Sequence, residues 1–339
     1  MSMARALHLC PDLIIVKPRH GFYGEISEQV MKRVRNLSPL VEQVSIDEAF
    51  LDISDLAESP ETTAFNLQDL IRKELGLPCS IGIASNKLVA KIANNIGKAA
   101  NRGAAPPNAI TIVPDGQEAE FLAPLPVEPL WGVGPKTAAR LTEMGVVTIG
   151  DLAAQSDKYL ALIFGKNGYD LARHARGIDD SPIFTWHEIK SISQETTFAQ
   201  DIRDEKILHQ TLFELSEQVG RRLRQEHLTG SVVKLKIRWP DFTTRTRQTT
   251  FETPVEQDKQ IFQAALSLLT KVWTPGQAVR LIGVGVSGLG PPIRQLSLWE
   301  FNTDPTSAAG SDKEHHLQSA IDDIRRRFGK NLIRRGKNP

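Results

Sequence analysis

Cysteine is almost absent: Cys10 and Cys79 are the two in 339 residues. Two thiols cannot build a disulfide framework or a zinc finger, so a reduced cytosolic pair is expected. The eight histidines show no ligand spacing, and His315 and His316 fall in a polar tail where solvated side chains are expected. No apolar run approaches the ~18 residues that a membrane span needs. Residues 1–12 reach Pro11 and Asp12 before any stretch of signal-peptide length. A cytoplasmic protein with no membrane partner is expected. Excess charge is missing too. Lys and Arg number 41 against 40 Asp and Glu, a net charge of +1, which excludes a uniformly basic nucleic-acid coat protein but not a local basic face. No solenoid period is present.

What is there suits sizeable cores. Apolar residues make up 40% and charged residues 24%, and the length suggests two or three domains. Residues 21–37 carry Ile26, Val30, Val34 and Leu37 as a helical stripe. Residues 41–54 (V-E-Q-V-S-I-D-E-A-F-L-D-I-S) read as one strand. A helix with Phe65, Leu67, Leu70, Ile71 and Leu75 as buried candidates follows and closes at Gly76 and Pro78. Residues 79–85 read as a short strand and 87–98 as a helix, an α/β layer arrangement. Residues 99–111 read as an exposed loop, 117–180 as an all-α module and 181–194 as a connector.

From 190 the predicted order is strand (191–198), helix, strands 231–239 and 244–252, helix 257–273 and strand 279–287. That βαββαβ order is the ferredoxin-like signature. Residues 190–299 hold 15 basic against 11 acidic residues. Lys234, Lys236 and Arg238 alternate with Val233, Leu235 and Ile237, so the basic residues share one strand face. Arg245 and Arg247 share a face of the next strand. An apolar face against helices and a basic face outward suit a phosphate backbone. The tail from Phe301 starts as a polar stretch and ends in a helix over 317–328.

Two segments carry chemistry. Asp47 and Glu48 are adjacent acids in an otherwise apolar segment, where ionised carboxylates are costly unless paired or metal-bound. Asp52 follows in the same run, and Lys87, Lys91 and Lys98 lie downstream with no acid between them. Hard oxygen ligands beside a lysine-bearing helix suit Mg²⁺ and a polyphosphate. A salt-bridged edge strand is the competing explanation. In L-W-G-V-G-P-K at 130–136, Gly132 and Gly134 let the backbone turn and approach a phosphate, Pro135 fits the first helical position, and Lys136 adds charge.

These residues resemble a known family. S-I-D-E-A-F-L-D at 45–52 is similar to a carboxylate motif of the Y-family DNA polymerases, and G-I-A-S-N-K-L-V-A-K-I-A at 82–93 to the motif that follows it in the palm. The resemblance extends to about residue 299 and more weakly to the end. It implies an α+β multidomain chain: a remnant of the fingers (1–18), an incomplete α/β palm (19–116), an all-α helix–hairpin–helix thumb (117–186), a linker (187–194), a ferredoxin-like little finger (195–299) and a flexible tail with a short helix (300–339). It implies error-prone translesion synthesis by a monomer that transfers nucleotides from dNTP to a primer on template DNA, using two Mg²⁺ ions. Asp47 would be a metal ligand, and Glu48 both a metal ligand and the catalytic acid residue. Lys98, or its neighbour Lys91, would meet the nucleotide phosphates, with a solvated helix face as the rival role. Gly132, Gly134 and Lys136 of the thumb would grip duplex DNA together with Lys234, Lys236, Arg238, Arg245 and Arg247. Q-L-S-L-W at 295–299 is similar to a sliding-clamp-binding peptide, with Gln295 at the pocket rim and Leu296, Leu298 and Trp299 as anchors; packing of Leu296 and Trp299 on the preceding domain is the rival.

The family's opening strand, with another metal-binding Asp, the residue that screens out ribonucleotides, and a Tyr and Arg that grip the triphosphate have no counterpart here. The resemblance therefore implies a chain lacking the first palm strand and most of the fingers, from a misplaced start or as a real product. A DNA- and clamp-binding protein without catalysis is the alternative expectation.

Overall fold

The computed structural model describes residues 1, 3–100, 107–292, 317, 320–324 and 327–329. The chain divides into two compact units, 1–187 and 188–339.

The first unit begins with helices α1 (Met3–Leu9) and α2 (His20–Leu37), then strands β1 (Val41–Gln43) and β2 (Ala49–Leu51). Here the sequence expectation needs correction: residues 41–54 are not one strand but a hairpin, with Val41 opposite Leu51 and Gln43 opposite Ala49. Ser45 is the physical reason. Its hydroxyl bonds to the Asp47 carboxylate at 2.5 Å and accepts the Asp47 amide at 3.2 Å, favouring a turn over extended chain. Helix α3 (Pro60–Leu75) starts on Ser59, which accepts the Thr62 amide, and ends at Gly76 with φ 65°. Val34, Val41, Leu67 and Ile71 form a small buried cluster beneath it. Phe65, expected inside, is exposed; the inward stripe runs through Ala64, Leu67 and Ile71 instead.

Strand β3 (Ile81–Ile83), helix α4 (Lys87–Ala100) and strand β4 (Ile110–Ile112) make a parallel βαβ unit. A Cβ at Gly82 would lie 2.0 Å from the Ala90 carbonyl oxygen, so only glycine lets α4 pack this closely. The β1–β2 and β3–β4 pairs are separate two-stranded sheets among the described residues. Five helices follow: α5 (Glu118–Leu122), α6 (Pro135–Glu143), α7 (Ile149–Ala153), α8 (Asp157–Phe164) and α9 (Lys166–Ala175). Leu88, Val89, Ile92 and Ala93 of α4 share one core with Leu122, Leu141, Leu160 and Leu171.

The second unit runs β5 (Ser191–Ile202), α10 (Glu205–Gln225), β6 (Thr229–Arg238), β7 (Thr244–Val255), α11 (Asp258–Thr270) and β8 (Val279–Gly290). The βαββαβ order is as expected, but the sheet order is β5-β8-β6-β7. This is not the ferredoxin-like order, in which the first and third strands are central. Strand β8 (V-R-L-I-G-V-G-V-S-G-L-G) is apolar almost throughout, which suits a central strand rather than an edge. Ser191–Gln194 pair with β8, so those residues of the expected linker belong to the sheet. Helices α10 and α11 cover one face through Leu208, Leu212, Leu223, Ile261 and Leu269. No described helix is long and apolar enough to cross a membrane.

Candidate active site and nucleic-acid interface

The β1–β2 hairpin places its acids at the turn. Val44 and Ser45 donate their amides to the Glu48 carbonyl at 3.0 and 3.2 Å, closing a tight loop. Asp47 is exposed and Glu48 half-buried. Asp52 lies at the other end of the hairpin, its amide donating to the Leu40 carbonyl at 3.0 Å, so it does not join them. Bonds from the Ser54 hydroxyl and amide hold the Asp52 carboxyl below the usual carboxylate range.

Helix α4 supplies the counter-charges. Lys91 bonds to the Glu48 carboxylate. One turn earlier, buried Lys87 bonds to Glu42 of β1 at 2.8 Å and to the Pro182 carbonyl at 2.7 Å. The Phe184 amide also donates to Glu42 at 3.0 Å, and the Phe50 and Phe184 rings lie 5.8 and 5.2 Å from the Lys87 ammonium. Burial pushes the Glu42 carboxyl up, but Lys87, the Phe184 amide and His187 outweigh it and leave the carboxyl below its ordinary value. Sequence reasoning missed this pair. The signal was Glu42 itself, a charge next to Val41 that demands a partner once it is buried. Lys98 does not join the carboxylates as Lys91 does. Its charge bears on Cys79, whose thiol burial pushes up and Lys98 pulls down.

Asp47 and Glu48 offer hard oxygen donors. Among the described residues no group of three or more His, Cys, Asp or Glu side chains is placed to hold a metal ion. Mg²⁺ is commonly held by one or two carboxylates and completed by substrate phosphates and water. The pair fits that mode.

At the start of α6, Gly132 has φ 89° and Gly134 caps the helix with extended backbone ahead of Pro135. No side chain caps this end and nothing lies within 4 Å of a Cβ at Gly134, so a phosphate could approach the first-turn amides. Lys136 is exposed beside them.

In the second unit Val233, Leu235 and Ile237 are buried, and Lys234, Lys236 and Arg238 take the opposite face. Arg245 and Arg247 stand opposite Ile237 and Leu235 in the ladder, so they belong to the helix-covered face and not to the lysine face. They are exposed because β7 is the sheet edge. The basic residues therefore flank the β6–β7 edge from both faces rather than lining one. Gln295, Leu296, Leu298 and Trp299 lie outside the described residues, as does most of the expected tail helix.

Comparison with known proteins covers nearly the whole chain. The impB/mucB/samB family matches residues 1–95, the IMS family HHH motif 115–146, and the impB/mucB/samB family C-terminal domain 189–298. A protein named DNA polymerase IV from Desulfatibacillum aliphaticivorans is 38% identical over 336 residues, 98% of this chain and 82% of that one. Another of that name from Dehalococcoides mccartyi (strain BAV1) is 38% identical over 341 residues, 99% of this chain and 83% of that one. Among solved structures, a Y-family DNA polymerase chimera superposes with a TM-score of 0.73 at 21% identity, covering 86% of this chain and 83% of that one. An insertion ternary complex of Dbh DNA polymerase gives 0.57 over 86% and 83%, also at 21% identity.

Proposed function

The chain belongs to the impB/mucB/samB family of Y-family DNA polymerases, and from that membership we propose that it extends a primer on damaged template DNA, transferring nucleotides from dNTP with low fidelity. The observation that carries this reading is the pairing of Lys91 with Glu48 at the turn that also holds Asp47. Exposed Asp47, whose carboxylate also accepts the Ser45 hydroxyl, and Glu48, in exchange for its contact with Lys91, would hold the cation. The Lys91 ammonium, beside these carboxylates, would be placed to neutralise a triphosphate. Lys98, two turns along the same helix, extends that positive edge. Mg²⁺, two ions per site, would supply charge neutralisation and an acidified primer hydroxyl there. The loop at Gly132 and Gly134 with Lys136, and the basic residues of β6 and β7, hold the duplex through its phosphates without reading sequence. Residues 295–299 serve as the peptide that docks on a sliding clamp, and the chain works as a monomer.

The test is primer extension with Glu48→Ala. Extension should fall at least about a hundredfold, the scale of losing one preorganised electrostatic group, while affinity for primer–template DNA stays within twofold or so. Retained extension would refute the assignment. A second reading, DNA and clamp binding without catalysis, is favoured by the want of a third acid at the turn among the described residues. Salt-sensitive DNA binding with no extension by the wild-type chain would select it.

A further inference from the structure

Phe242 stands at the tip of the β6–β7 hairpin. The Trp239 amide donates to the Thr243 carbonyl at 2.9 Å and the Phe242 amide to the Trp239 carbonyl at 3.0 Å, enclosing residues 240–242 as a tight loop. In such loops the last position takes the left-handed conformation and is normally glycine or asparagine. Here it is phenylalanine with φ 66°. A bulky side chain is unfavourable there. Burial does not compensate, because Phe242 is 64% exposed. Strain kept at an exposed aromatic points to a use outside the folded chain.

The surroundings say which use. The guanidinium of Arg280 lies 4.5 Å from the centre of the Phe242 ring and is itself 3.7 Å from Asp201, so the ring is held rather than left to swing. Arg238 and Arg245 flank the loop, and Arg238 donates to the Thr244 hydroxyl at 2.8 Å. The acid at the tip, Asp241, is engaged by the Thr243 amide at 2.9 Å and hydroxyl at 2.6 Å, which keep its carboxyl below the usual range and build the turn. An exposed aromatic ring with one arginine against it and two more on the strand ends that lead into its loop matches one chemistry: a π-face joined to phosphates.

We propose that Phe242 is a stacking platform for an unpaired nucleobase of bound DNA, a contact that grips single-stranded template beside the duplex. The proposal rests on the DNA-binding function above and adds a residue to it. Its test compares two probes by fluorescence anisotropy: a duplex with a single-stranded overhang and the same duplex with blunt ends. Phe242→Gly and Phe242→Leu should each lose about tenfold affinity for the overhang probe and less than about twofold for the blunt one. Phe242→Trp should bind both as the wild type does. Phe242→Gly should also melt at a higher temperature than the wild type, since glycine accepts the left-handed backbone. Weaker overhang binding in a more stable protein is a result that a structural role for the ring would not produce. Wild-type affinity in Phe242→Leu, or equal losses on both probes, would overturn the proposal. Failure of the wild type to bind even blunt duplex at low salt would overturn the DNA-binding function along with it.

Discussion

The hairpin 41–51 and the sheet 191–290 both display charge, yet they hold it differently. In the hairpin each acid that touches α4 has its own lysine: Glu42 with Lys87, and Glu48 with Lys91. The supporting cluster is small, with Val34, Val41, Leu67 and Ile71 as its buried members. In the sheet, Lys234, Lys236 and Arg238 alternate with Val233, Leu235 and Ile237, each at most 1% exposed, in a core that joins both helices. A polyanion tracked over many residues needs fixed spacing, which a packed strand gives. The proposed exchange of Lys91 for a cation would need a partner that can be released, as the partly exposed Glu48–Lys91 pair is. Under the proposed function, a gripping surface and a reacting surface call for different degrees of rigidity.

Leu235→Ala should show the largest effect on stability. The side chain is fully buried in the middle of β6, and its loss should cost the second unit about 3–4 kcal/mol. Leu67→Ala, at the thinner cluster of the first unit, should cost nearer ~2 kcal/mol. Chemical denaturation followed by tryptophan fluorescence can compare them, since Trp131 and Trp186 lie in one unit and Trp239 and Trp273 in the other. Equal losses would break the contrast between a thick and a thin core.

Next in size is Glu42→Gln. It leaves the Lys87 ammonium buried against two aromatic rings and the Pro182 carbonyl, at a cost of roughly 3 kcal/mol to the first unit. Replacing both partners by apolar residues, Glu42→Leu with Lys87→Met, should cost much less. The pH dependence sharpens this. The Glu42 carboxyl lies below its ordinary value in the folded chain, so its contribution is complete above about pH 4.3 and is lost as pH falls through the lowered value. Urea midpoints for the first unit should fall with acid in the wild type and less steeply in Glu42→Gln. Parallel acid profiles would mean that the pair adds nothing to folding.

Much of this was legible in the sequence, unevenly. The end of helix α3 could be read because Gly76 and Pro78 punctuate it. The inward row of β6 could be read from strict alternation. The turn at 44–48 was hidden, because a loop made by the Ser45 hydroxyl looks like strand composition when flanked by Val44 and Ala49. The face of Arg245 and Arg247 depends on which β6 residue each one meets, a register that the β6–β7 loop sets and alternation within one strand cannot reveal. The site itself was half visible. Asp47, Glu48 and Lys91 stood out as charges in apolar context, while Glu42 with Lys87 required knowing that the first turn of α4 comes within side-chain reach of β1. Phe242 was invisible, because its interest lies in a backbone angle.

The smallest predicted effect concerns Glu195, the acid that intrudes on the basic face. Lys236 bonds to Glu195 at 2.8 Å across β8, over Gly283, which pairs with both residues. A Cβ at Gly283 would lie 2.7 Å from that of Glu195, so the glycine leaves room for this bridge. The two side chains are 36% and 48% exposed, and a pair so open adds little to stability. A DNA phosphate reaching Lys236 must displace the Glu195 carboxylate and then sit beside it. Glu195→Gln should therefore raise duplex affinity by about threefold and steepen the plot of log affinity against log salt by roughly one ion, with stability changed by less than ~0.5 kcal/mol. Lys236→Gln should do the reverse. Titrations at several salt concentrations separate these outcomes. An unchanged slope in Glu195→Gln would mean that the bridge stays closed on DNA, and that the path of the phosphates runs along the β7 edge past Arg245 and Arg247 instead.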